Sequence, residues 1–254
     1  MNVRVLVFAI LGLIATATLH AGEPVAADTK PVLVSVHGAW AGGWQMKKVV
    51  PLLAARGYEV HCPTLSGLGE RFHTATPDIG LETHIQDIVN YILFADLHHV
   101  ILLGHSYGGM VITGVADRIP ERIARLVYLD AFLPENGESA LGVRRGLPEL
   151  FAQHTRDGFI HPWWLKPDKP FPRDVPHPLK TMTDPIVLKN PAAAAIPGTY
   201  ILTVETGKAP ADDDFYPFYQ RAQARGWPVI VMEADHVPQW RKPAETAALL
   251  ATIR

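Results

Sequence analysis

The chain is poor in cysteine: Cys62 is the one thiol in 254 residues, so no intrachain disulfide can staple it and a disulfide-framework fold is excluded. It also lacks runs of like charge. Lys and Arg total 23 against 25 Asp and Glu, a formal charge of -2, with no basic stripe of the kind that follows a phosphate backbone, so nucleic acid is not an expected partner. No pair of histidines at ligand spacing sits on an expected helix beside a carboxylate, and metal catalysis is not expected. The apolar stretch at the N-terminus, Val5 to Ala17, falls short of the roughly 20 residues that span a bilayer. It follows Met-Asn-Val-Arg and precedes Thr18-Leu19-His20-Ala21-Gly22, the layout of a secretory signal over residues 1–21 cleaved near Ala21; an uncleaved N-terminal anchor is the alternative. The reading predicts an exported protein, periplasmic or secreted, without a stable membrane span after cleavage.

What is present is a chain with 48% hydrophobic and 19% charged residues, enough to bury one full-sized core over residues 31–254 after a polar linker at 22–30. Val32 to Val36 reads as a buried strand broken by His37-Gly38, and Trp44 to Arg56 has apolar residues at helical spacing. Further strands are expected at Tyr58 to Cys62, Val100 to Leu103, Arg125 to Leu129, Thr199 to Val204 and Val229 to Met232. Helices are expected at Leu81 to Phe94, Tyr107 to Ile119, Phe215 to Arg225 and from about Ala244. Strands that are apolar throughout and alternate with helices imply an α/β fold: a mostly parallel, six-stranded sheet covered on both faces. The segment from about 134 to 197 breaks this rhythm. It is rich in proline and aromatics (Phe159, Trp163, Trp164, Phe171) and is too long for a structureless loop, so it reads as an inserted cap with short helices of its own.

The chemistry concentrates at Gly104-His105-Ser106-Tyr107-Gly108, which follows a buried strand and opens a helix. The pattern alone is weak. In that context, glycines two before and two after the serine permit a sharp turn that lifts its hydroxyl above the sheet edge. A serine hydroxyl is a poor nucleophile at neutral pH and needs a base, which in turn needs an orienting group. Of twelve histidines, His236 lies just past the last strand, at the same carboxyl-end edge as Ser106, and is the expected general base. His105 is aimed elsewhere by its neighbouring position, and His37 is expected to support its own loop. His98 and His99, at a strand start, are expected to be exposed.

His37-Gly38-Ala39-Trp40 with Gly42-Gly43-Trp44, the Ser106 motif continued by Gly109, and Asp235-His236 together resemble the α/β-hydrolase superfamily. The likeness is to the group that holds plant methyl esterases, hydroxynitrile lyases and bacterial esterases, and it covers nearly everything after Pro31. It implies the α/β-hydrolase fold, cofactor-free hydrolysis of a small, apolar ester through an acyl-enzyme, and an oxyanion hole from the amides of Ala39 and Tyr107. One departure matters. Plant members carry the orienting Asp after the strand matching Thr199 to Val204, where this chain continues Glu205-Thr206-Gly207. Asp130, at the end of the strand from Arg125 to Leu129, is therefore the preferred acid and Glu205 the alternative; Asp212, Asp213 and Asp214 read as a solvated run capping the next helix. A hydroxynitrile lyase-like activity is weighed against by Val237, where plant lyases have Lys after the histidine, and a non-catalytic ligand-binding homologue by the intact set of residues. The expected partner is a small ester, with a homodimer admitted as an assembly.

Overall fold

The computed structural model describes residues 30–144, 146–166 and 168–253. The signal expected over 1–21 and nearly all of the linker lie outside the described residues.

Strands β1 (Val32–Val36), β2 (Glu59–His61), β3 (Val100–His105) and β4 (Ile123–Leu129) alternate with helices α1 (Val50–Ala54), α2 (Leu81–Phe94) and α3 (Gly108–Arg118). After the insertion, which holds α4 (Ala140–Val143), α5 (Leu147–His154), strands β5 (Thr155–Arg156), β6 (Phe159–Ile160) and β7 (His177–Pro178), and α6 (Lys180–Thr183), the alternation resumes. It runs through β8 (Gly198–Val204), α7 (Tyr216–Ala224), β9 (Val229–Glu233), α8 (Pro238–Arg241) and α9 (Pro243–Leu250). The main sheet has the order β2-β1-β3-β4-β8-β9 with every pairing parallel. Six strands in a parallel sheet is what the apolar runs predict, because such strands must be covered on both faces.

β3 makes the reason visible. Val100 and Leu102 enter the core built with α2, α3 and α7, while Ile101 and Leu103 enter the core on the opposite face with α1 and α9. All six residues of β3 are buried. Removing each Ile or Leu side chain from water contributes about 1.5–3 kcal/mol, so a polar substitution here would be severe.

Two expectations need correction. The helix predicted over Trp44 to Arg56 is split into a 3-10 turn at Gly43–Met46 and the short α1. Pro51, in the first turn of α1, has no N–H to offer the preceding turn, and its ring would clash with the carbonyl four residues back. The insertion holds, besides short helices, a three-stranded antiparallel sheet in the order β5-β6-β7 that the apolar pattern does not reveal, since strands of two residues have no period. A local signal was there. Asp157-Gly158 joins β5 to β6 with φ of 51° and 79°, the positive values that an Asp-Gly hairpin turn adopts.

The sheet order reverses at β1: the chain goes from β1 to β2 on one side and then crosses to β3 on the other. Loops leaving the carboxyl ends of β1 and β3 therefore diverge and open a crevice, the usual ligand position in open α/β sheets.

Candidate active site

Ser106 follows β3 at that crevice in a left-handed conformation, φ 53°. A non-glycine residue held there costs about 1–3 kcal/mol, and the surroundings hold it in place. Its N–H donates to Leu129 O at 3.2 Å, and its carbonyl accepts from Gly109 N at 3.0 Å and Phe132 N at 3.1 Å. The turn also needs glycine beside it: a Cβ on Gly108 would stand 2.5 Å from the carbonyl oxygen of Val36.

The hydroxyl meets a chain of hydrogen bonds. Ser106 Oγ lies 2.9 Å from His236 Nε2, and His236 Nδ1 lies 2.6 Å from Asp130 Oδ2. A carboxylate accepts, so the proton sits on Nδ1 and Nε2 is left to accept from the hydroxyl. Asp130 is 1% exposed and also has a left-handed backbone, φ 46°. Its Oδ1 accepts from Thr203 N at 3.0 Å, and its own N–H donates to Ile201 O at 2.7 Å, so β8 fixes the carboxylate from both ends. Glu205, the alternative acid, is exposed and paired with Lys208 at 2.7 Å. The structure thus brings Ser106, His236 and Asp130 together and leaves Glu205 outside.

The remaining histidines of the motifs are buried and neutral. His105 donates from Nε2 to the carbonyl of His236 at 2.6 Å, and burial, with the neighbouring His236, pushes it down to about 3. His37 donates from Nδ1 to Gly38 O at 2.8 Å and accepts from Leu65 N at 3.1 Å; burial holds it at about 4. These bonds pin the loop after β1. Among the described residues neither the Ala39 nor the Tyr107 N–H has a protein acceptor, and both residues line the cavity beside Ser106.

Several residues at the site carry no motif. His177, on β7, accepts from Trp40 N at 3.2 Å and so ties the insertion to the loop after β1. His84, on α2, lies 3.0 Å from the Tyr107 hydroxyl, which donates to Nδ1 while Nε2 donates to Ser66 O. Phe215 lies flat on the His236 imidazole. The Asp212 to Asp214 run is not simply solvated, as the sequence suggests: Asp213 is half-buried, and burial reinforced by Asp130 pushes its carboxyl up to about 6, while Asp214 pairs with Arg144 of the insertion. Only tertiary packing brings these groups in: the period of α2 shows a helix but not that His84 reaches Tyr107, and His177 stands in a stretch with no periodic or motif signal.

The cavity at Ser106 measures about 320 Å³, with Leu147, Phe151, Trp163, Trp164 and Met182 of the insertion facing Gly38 to Trp40. Of the four aromatics singled out by sequence, Trp163 and Trp164 line it, Phe171 instead stacks on Phe72 at the surface, and Phe159 sits on β6 beside another pocket. A larger cavity of about 510 Å³, among Thr113, Tyr128, Arg225 and Trp227, has no nucleophile paired with a base, so size is a poorer guide here than chemistry. Among the described residues no group of three His, Cys, Asp or Glu is placed to hold a metal ion, and no helix is long and apolar enough to cross a membrane.

A parallel sheet with a strained serine turn at its switch point, an imidazole on the serine and a buried carboxylate behind it define a hydrolase-type α/β protein. The model of the Alpha/beta hydrolase family matches residues 33–249, and the chain belongs to that family. It is similar to the carbendazim hydrolyzing esterase of Nocardioides sp. (strain SG-4G), 37% identical over 243 residues that cover 87% of this chain and 98% of the relative. It is 26% identical to Methylesterase 7 of Arabidopsis thaliana over 255 residues, 87% of this chain and 95% of that one. In fold it is similar to an extracellular alpha/beta-hydrolase from a Paenibacillus species, with a TM-score of 0.72 at 24% identity, covering 87% of this chain and 98% of the other.

Proposed function

We propose that this chain is a serine hydrolase of small carboxylic esters in which Ser106 is the nucleophile, His236 the general base and Asp130 the residue that orients the imidazole and stabilises its charged form. An ester-hydrolysing enzyme is also what its esterase-named relatives support. The observation that carries the reading is the hydrogen-bonded series from Asp130 Oδ2 through His236 to Ser106 Oγ at 2.6 and 2.9 Å, opening on an apolar cavity.

In the acylation step Ser106 Oγ attacks the ester carbonyl carbon while its proton passes to His236 Nε2. The unpartnered N–H groups of Ala39 and Tyr107 receive the developing oxyanion; one such donor is worth about 3–4 kcal/mol of barrier. Collapse breaks the bond to the alcohol, which leaves with the proton from His236. Water, activated by the same imidazole, then attacks the acyl-serine and frees the acid. Asp130 stays ionised and stabilises the imidazolium formed in each half.

The insertion acts as a cap, placing tryptophans over the acyl or alcohol group. Export, with residues 1–21 removed as a signal, belongs to the same reading; N-terminal sequencing of the mature protein tests it, and a chain beginning at Met1 would refute it. For the chemistry, Ser106→Ala is expected to lower turnover of 4-nitrophenyl butyrate by at least about a thousandfold and to abolish labelling by a fluorophosphonate probe, with the circular dichroism spectrum retained. Substantial residual turnover would remove Ser106 from the role.

A further inference from the structure

Resting on that reading, we propose that Asp174 is a specificity-determining residue of the cavity, the acceptor that selects esters whose aromatic portion carries an N–H group.

Apart from Gln45 and the histidines next to Ser106, the wall around the serine is mainly aromatic and apolar. Trp164 meets Trp40 edge-to-face at 4.9 Å and Trp163 at 4.6 Å, and Trp40 meets Phe151 at 5.5 Å. Such a cluster offers ring faces and edges to a planar guest. An arginine and an aspartate line the same cavity, Arg144 and Asp174. Arg144 is committed, since its guanidinium sits over the Phe215 ring and pairs with Asp214. Asp174 is half engaged. Its Oδ2 accepts from Trp164 Nε1 at 2.9 Å, and among the described residues no donor reaches Oδ1 and no cation pairs with the carboxylate.

A carboxylate in this position has a cost that a ligand could offset. Burial pushes Asp174 up from its ordinary value, opposed more weakly by the Trp164 hydrogen bond and by Lys169. An N–H donor from a bound aromatic would satisfy the open oxygen in a site where water is displaced, and charge-assisted bonds of this kind are the strong ones. An ester of the same shape without the donor would leave Oδ1 desolvated and unpaired. The cavity then discriminates by its unmet hydrogen bond, which separates substrates more sharply than added apolar contact does.

The test uses isosteric pairs on the full-length protein: the 4-, 5- and 6-isomers of methyl indolecarboxylate against the corresponding methyl benzofurancarboxylates, which replace N–H by oxygen at constant shape. For at least one isomer the indole ester is expected to have a kcat/KM about tenfold or more above its benzofuran partner. In Asp174→Asn the amide oxygen still receives Trp164 Nε1, so the NH₂ group faces the cavity and presents a donor to a donor; the preference is expected to collapse or invert. The ratio between two esters on one protein cancels any loss of folded enzyme. Equal preference in Asp174→Asn and the unsubstituted protein at every isomer would overturn the proposal. Binding of indole against benzofuran to the Ser106→Ala protein, read by isothermal titration calorimetry, gives the same comparison without turnover. Failure of ester hydrolysis with the indole preference intact in binding would sink the hydrolase reading and leave Asp174 standing; hydrolysis with no preference would do the reverse.

Discussion

The phenyl ring of Phe215 lies parallel to the imidazole of His236, their centroids 5.0 Å apart and their planes 11° from parallel. Phe215 is buried, touches Phe132 and Phe218 as well, and supports the face of the imidazole that Asp130 and Ser106 hold at its edges. Phe215→Ala should therefore lower stability by about 3 kcal/mol and lower kcat beyond what the loss of folded protein explains, because the imidazole gains freedom to turn. Urea unfolding paired with turnover per folded molecule checks this; full kcat in the folded fraction would contradict it.

Asp130→Asn keeps the shape of the side chain and removes its charge. An amide can present its NH₂ to His236 Nδ1 and hold the wrong tautomer, so kcat should fall by about 10³ to 10⁴. Glu205→Gln, at an exposed residue paired with Lys208, should stay within about threefold. The reverse pattern would reassign the acid.

Acid should unfold this protein early. His37, His84 and His105 are held at about 4, 4 and 3 in the folded state by burial, and His177 is lowered too. The unfolded chain thus binds more protons below about 6.5, and stability falls as pH drops from there toward 4, by up to about 1.4 kcal/mol per pH unit per histidine. Asp213, raised to about 6, runs the other way and subtracts about one group from that slope between 6 and 3.8. Urea midpoints across pH 4 to 8 should decline steeply below 6.5, and His105→Gln should flatten the decline by about one proton. A flat profile would mean these rings are not buried neutral.

Two glycines separate steric from conformational cost. A Cβ at Gly108 would press on the Val36 carbonyl, backbone against backbone, so Gly108→Ala should cost about 3 kcal/mol or more. At Gly207, φ 84°, nothing lies within 4 Å of the added atom, and the cost should be about 1–2 kcal/mol of strain alone. Equal losses in thermal unfolding would argue against the close approach of β1 to the serine turn.

Cys62 should be a spectator. Burial pushes its thiol up to about 12, so the thiolate that alkylating agents require is scarce at neutral pH. Iodoacetamide is expected to leave esterase activity intact; rapid inactivation would place the thiol nearer the chemistry than its β2 neighbourhood allows.

The main-chain plan was legible from the residues because it is written in short-range physics. Apolar runs such as Val100 to Leu103 can be stable only when both faces are covered, and the glycines around Ser106 mark a turn that other residues could not make. Even the place of His236, just past the last strand at the edge where Ser106 stands, singled it out among twelve histidines. What the residues alone left undecided is contact across long stretches of chain. Whether Asp130 or Glu205 would reach His236 depended on where β4 and β8 end in the sheet, 106 residues from the histidine in one case. The neutral His84 and His177, the flat Phe215 and the half-met Asp174 likewise have meaning through partners that no local pattern specifies. Period and turn chemistry act over a few residues and so can be read in sequence; hydrogen bonds and desolvation at the site act through space, and folding alone sets those distances.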